Sequence, residues 1–219
     1  MPALAAPITP TSDLQVIETL SASAASRAAD RRLRQALLGS PRDAQKAVQL
    51  AASLMAQARE LGDPRLAGQA MATLQAWSEP ASAPGEVLMM QATVLQYLHD
   101  FDASAKVLEQ LLAREPQSPQ AWLTLATVRR VQGRYAASDL ACAQLLEHGA
   151  ALHGAACQAE NAALRGEFDI ARGRFERLLA DRRLSRGTRN WLLTSLAELE
   201  QRTGRNEAAD AAFEAALAA

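Results

Sequence analysis

Small and apolar positions recur along this chain at two periods. At short range they follow the three-to-four-residue spacing of amphipathic helices, which predicts one helix over about 26–38 and another over about 43–61. Gly39-Ser40-Pro41 separates the two, a stop followed by a new start. At long range the same residue types return after 34, 34, 33 and 38 positions. From Ala58 these steps reach Ala92, Ala126, Ala159 and Ala197. From Ala70 they reach Ser104, Ser138, Ala171 and Ala209, all small. Leu74 leads to Leu108, Cys142, Phe175 and Phe213, and Trp77 to Leu111, Leu145, Leu178 and Ala216. Ala67 leads to Phe101, Tyr135, Phe168 and Asn206. A repeat of this length marks a stack of similar supersecondary modules.

The columns have a physical reading. Each module is two antiparallel helices joined by a tight turn, marked by Gly133, Gly166 and Gly204. Small residues sit where the two helices touch, and larger ones fill the space between neighbouring pairs. No pair buries its apolar face alone, so stacking builds one continuous core. The predicted fold class is all-α, a right-handed superhelical stack of helix-turn-helix repeats. The predicted segments are an extended or disordered stretch over 1–25, a helix over 26–38, and repeats over about 43–84, 85–118, 119–151, 152–187 and 188–219. About twelve helices and no sheet are expected. Composition agrees: 49 of 219 residues are alanine, the best helix former, while aromatics make up only 4%.

Trp122-Leu123-Thr124-Leu125-Ala126, then Gly133-Arg134-Tyr135 and Ser138, resembles a tetratricopeptide repeat, and Pro116 stands where that family places its proline. The resemblance covers residues 51–219. Gly62-Asp63-Pro64-Arg65 with Trp77 also resembles exported bacterial tetratricopeptide-repeat proteins. The family resemblance implies a non-catalytic scaffold whose first helices line a concave groove for a peptide or protein segment. It places Met55, Arg59, Met89, Thr93, Gln96, Tyr97, Leu123, Thr127, Arg130, Glu160, Trp191, Thr194 and Glu198 on that face. Tyr97 and Trp191 are the two aromatics outside the core columns, either groove anchors or packing residues. Some members hold chaperone tails with a Lys and an Asn one turn apart; Met55 and Arg59 stand there instead, which argues against that role. The turn aromatics Phe101, Tyr135 and Phe168 are expected to be largely buried.

Cys142 and Cys157 fall on the second helix of one repeat and the first helix of the next. A disulfide there would staple adjacent repeats, the alternative being two small buried thiols. The run Cys142-x5-His148-x4-His153-x3-Cys157 is a poor zinc site, because residues six apart on a helix point to different sides. No metal or cofactor is expected. Nucleophile elbows, Walker loops and zinc-protease motifs are all missing from the sequence, so no enzyme activity is expected. A net charge of −1 gives no general attraction to nucleic acid. The longest apolar runs are too short to span a bilayer. A basic run (Arg172, Arg174, Arg177, Arg182, Arg183, Arg186, Arg189) reads as a solvated face or a local anionic-partner patch.

Ala3-Leu4-Ala5 before Ala6-Pro7 has the form of a signal-peptide cleavage site. That favours an exported or periplasmic protein over a cytoplasmic one. At the other end, Phe213 and Leu217 lie in a helix with no polar cap after it. A stack normally ends in such a cap. The expectation is therefore a fragment of a longer repeat protein, or assembly through this end as a homo-oligomer or structural subunit.

Overall fold

Side-chain caps and prolines mark the starts of several helices. The Asp43 carboxylate accepts the Lys46 N–H at 3.0 Å ahead of α2 (Ala44–Leu61), and Asp63 accepts the Arg65 N–H ahead of α3 (Pro64–Thr73), which has proline in its first turn. The computed structural model describes residues 10–12, 14, 15, 24–79 and 82–219, with α1 side chains from residue 28 onward. The remaining helices are α1 (Ala24–Gly39), α4 (Gly85–Tyr97), α5 (Phe101–Arg114), α6 (Pro119–Val131), α7 (Tyr135–Glu147), α8 (Ala151–Leu164), α9 (Phe168–Leu179), α10 (Arg186–Arg202) and α11 (Asn206–Ala218). With a 3-10 turn at Gln75–Trp77, these make up the regular structure among the described residues, which contain no strand. The fold is all-α. The expected cleavage site at Ala3–Ala5, and most of the expected extended segment, lie outside the described residues.

The chain divides into two compact units, Met1–Ala76 and Trp77–Ala219. In the first, α2 packs against both α1 and α3. Its buried arc is wide, with Ala47, Leu50, Ala51, Leu54, Met55 and Ala58 all inside. Asp30 of α1 is buried on this helix and accepts from Ser53 Oγ and Gln57 Nε2, each at 2.7 Å. The carboxylate therefore keeps hydrogen bonds in place of the water it loses.

In the second unit the pairs α4–α5, α6–α7, α8–α9 and α10–α11 stack in chain order. Ala92, Ala126, Ala159 and Ala197 are completely buried, as are Ser104, Ser138 and Ala171. The serines do more than leave room. Ser104 Oγ donates to the Ala92 carbonyl at 2.9 Å and Ser138 Oγ to the Ala126 carbonyl at 2.8 Å, so each links the two small columns of its own pair. Buried Asn161 of α8 donates to Ser138 Oγ at 2.9 Å and to Asp139 at 2.8 Å, tying one pair to the next. A disulfide between Cys142 of α7 and Cys157 of α8, with Cα atoms 5.8 Å apart, crosses the same boundary.

Phe101, Tyr135 and Phe168 have most of their surface covered and keep a partly accessible remainder. Each is the first residue of its second helix, so part of its ring faces the turn and solvent. On α11, Phe213 is half-buried and Leu217 is 88% exposed. The carbonyls of Ala216 and Ala219 accept from Asn190 Nδ2 (2.7 Å) and the Arg186 guanidinium of α10.

Candidate ligand-binding face

In the second unit the first helices of successive pairs lie side by side, α4 touching α6, α6 touching α8 and α8 touching α10. Met89, Thr93, Gln96 and Tyr97 on α4, Leu123, Thr127 and Arg130 on α6, Glu160 on α8, and Trp191 and Thr194 on α10 are each partly accessible, and Glu198 is exposed. The threonines are less polar than their letters suggest. Thr93, Thr127 and Thr194 each donate their hydroxyl to the carbonyl four residues back, at 2.9, 3.0 and 2.9 Å. A hydroxyl bonded to its own helix leaves the methyl as the group free for contact.

Three helices are joined across this face by one carboxylate. Glu160 Oε2 accepts from the Arg130 guanidinium of α6, and Glu160 Oε1 accepts from Ser195 Oγ of α10 at 3.4 Å. Beside them a half-enclosed cavity of about 140 Å³ is floored by Ala163, Leu164, Phe175 and Leu199, with Glu198 and Arg202, 3.9 Å apart, at its rim. Sequence reasoning missed Ser195 and Arg202; each lies next to, or one turn from, a column it did follow. Trp191 packs against the cluster around Phe175, Leu192 and Leu199, and stacks on His153 with ring centroids 5.6 Å apart and planes at 21°. The indole thus presents one edge of a supported pair rather than a free ring.

Two of the sequence candidates lie in the first unit. Arg59 is exposed on α2. Met55 is corrected: it is 1% exposed, because the stripe Ala51–Met55–Ala58 belongs to the buried arc of α2, so it lines no open surface. The basic run around α9 is also largely engaged within the chain. Arg172 holds Glu200 and Asp169, Arg183 holds Asp181, and Arg189 donates to the carbonyls of Leu179 and Asp181 at 3.2 and 2.9 Å.

Glu200 is 4% exposed and takes both Arg172 (Nε to Oε1, 2.6 Å) and Arg205 (Nε to Oε2, 3.0 Å). The Arg172 hydrogen bond holds its carboxyl below the usual glutamate range against the opposing effect of burial. This cluster locks α9 to α10 behind the face and is structural in kind.

Among the described residues no helix is long and apolar enough to cross a membrane, and no three His, Cys, Asp or Glu side chains are grouped to hold a metal ion. No protein-family profile matches the chain, and no curated protein matches it in sequence. Solved structures do match in shape. A tetratricopeptide repeat protein from Parabacteroides merdae ATCC 43184 superposes with a TM-score of 0.70 at 16% identity, covering 88% of this chain and 73% of its own. TTC0263, a thermophilic repeat protein of the same class from Thermus thermophilus, gives 0.61 at 20% identity over 80% and 90%. MamA from Desulfovibrio magneticus RS-1 gives 0.54 at 13% identity over 78% and 93%. At such identities the likeness is one of fold: the chain has a helical-repeat fold like that of these tetratricopeptide-repeat structures.

Proposed function

We propose that this protein is a non-catalytic scaffold that holds a peptide or protein segment against the first-helix face of its second unit. One observation carries the reading: Glu160 ties α6, α8 and α10 together beside a cavity of about 140 Å³. A face held in one arrangement before binding loses less entropy when a ligand arrives. The lining mixes Met89, Leu123 and three threonine methyls with a few charges, which suits a segment with both apolar and polar side chains. The test is capture of partners from a native envelope extract, comparing the wild-type chain with Tyr97→Ala/Arg130→Ala. Loss of specific partners in the variant supports the face. Capture that survives the variant contradicts it.

A second reading, assembly through the last helix, is favoured by Leu217 at 88% exposure on α11. Light scattering of the wild type and Phe213→Glu across a concentration series separates the two, since only end-on assembly loses mass in the variant. The disulfide between buried cysteines favours an exported or periplasmic setting, where such bonds persist. Mass spectrometry of the protein taken directly from periplasm and cytoplasm tests this. Recovery solely from the cytoplasm with free thiols contradicts it.

A further inference from the structure

The first unit carries an apolar groove of about 650 Å³ between α1, α2 and α3, lined by residues of that unit alone. Its floor is Leu50 and Leu54 of α2, its walls are Leu37 and Leu38 of α1 and Ala72 of α3, and Leu38 is 76% exposed. An apolar cavity of about 150 Å³ holds a benzene-sized group, so a groove of this size has room for several leucine side chains.

Charge decides what kind of chain brings them. Exposed Arg34 lines the groove and donates to Gln69 Oε1 at 3.3 Å, and exposed Arg42, beside the lining, donates to the carbonyl of the lining residue Ala76 at 3.0 Å. A guanidinium has five N–H donors, so each keeps donors for a ligand. No carboxylate pairs with either among the described residues. Asp30 is engaged with Ser53 and Gln57, and Asp43 with Lys46. Arg31 shares the stripe of Arg34 and Leu38 on α1, three and seven positions away, and adds to the same sign. In a chain whose net charge is −1, this positive rim is a local feature.

We infer that the groove docks an acidic amphipathic helix of a partner protein, with leucine-like side chains in the groove and carboxylates over Arg34 and Arg42. Gln69 lies in α3, and Ala76 in the 3-10 turn that follows it. A ligand helix with acids at i and i+7 flanking apolar residues at i+3 and i+4 carries all four on one face, the spacing of helix-in-groove recognition.

The experiment uses the full chain and a labelled helical peptide with Glu at i and i+7 and Leu at i+3 and i+4, read by fluorescence anisotropy. A second peptide has Lys in place of the two Glu residues. The Glu peptide is expected to bind at least tenfold tighter than the Lys peptide. Leu38→Glu should weaken it at least tenfold, and Arg34→Glu/Arg42→Glu should reverse the preference. Leu38, Arg34 and Arg42 are exposed, and circular dichroism of each variant confirms that the fold is kept. Arg130→Ala in the second unit should leave binding unchanged. Equal binding of both peptides, indifference to the groove variants, or loss in Arg130→Ala overturns the inference. So does a concentration-dependent dimer abolished by Leu38→Glu, which would assign the groove to a second copy of this chain.

Discussion

Gly154 and Gly173 both lie inside helices, yet they should respond in opposite ways to the same substitution. A Cβ at Gly154 would stand 2.7 Å from the Cys142 carbonyl, a backbone atom of α7 that cannot step aside, and 3.1 Å from Leu146. Gly154→Ala is expected to cost about 1–3 kcal/mol by overpacking, despite the better helix propensity of alanine. A Cβ at Gly173 meets nothing within 4 Å, so Gly173→Ala should stabilise by about 0.5–1 kcal/mol. Urea unfolding of both variants checks the pair. Glu200 sets a pH dependence. Its folded pKa lies below the unfolded one, so its contribution is complete above the usual glutamate value of 4.5 and is lost as pH falls through the folded value. Glu200→Gln should lower stability at neutral pH by about 3 kcal/mol and flatten the acid limb of a stability–pH curve. An unchanged acid limb would contradict the role given to this carboxylate. The small columns were legible in the sequence because alanine and serine are needed wherever two backbones touch. Glu200 was not, since its partner Arg172 lies 28 residues earlier and a glutamate on a helix reads as solvated. His99 shows the same limit. It occupies the column of Gly133, Gly166 and Gly204 and takes their left-handed conformation (φ 62°), which its side chain does not advertise.

At the scale of elements, helix existence follows from periodicity, and the starts of α2, α3, α5 and α10 from Asp43, Asp63, Asp100 and Ser185, whose side chains accept N–H groups of the first turns. What periodicity does not reveal is how many neighbours a helix has. The repeat pattern assigns Met55 to the groove, whereas the broad buried arc of α2 takes it inside. The seam between α7 and α8 has the most cross-links in the second unit: the disulfide, the Asn161–Ser138–Asp139 hydrogen bonds, an Arg165–Asp139 ion pair at 2.6 Å and the close approach at Gly154. Cross-linking residues 15 apart restricts the unfolded chain, and the chain-entropy account gives about 3 kcal/mol. Cys142→Ala/Cys157→Ala, measured by urea unfolding against the oxidised wild type, should show a loss of that size. Adding reductant should lower the wild type toward the variant and leave the variant unmoved.

For the molecule, two surfaces carry two different chemistries. The first unit holds an apolar groove edged by Arg34, with Arg42 beside it, and the second holds a mixed face organised by Glu160. The repeat period made the second face legible as a set of columns, but it did not show that Arg130, Glu160 and Ser195 are linked or that Trp191 is stacked on His153. Those are relations between residues 30 to 38 positions apart, and they depend on side-chain rotamers that no column records. A double variant of the linkage, Arg130→Ala/Glu160→Ala, removes both charges together and leaves no buried charge unpaired. Its stability should stay within about 1 kcal/mol of wild type, while partner capture falls at least tenfold. The most direct test of the central claim is hydrogen exchange of the chain, alone and with a partner recovered by capture from the native extract. Protection gained on the Arg130, Glu160 and Ser195 turns of α6, α8 and α10 is the predicted result. Protection confined to α11, with those three helices exchanging as in the free protein, would contradict it.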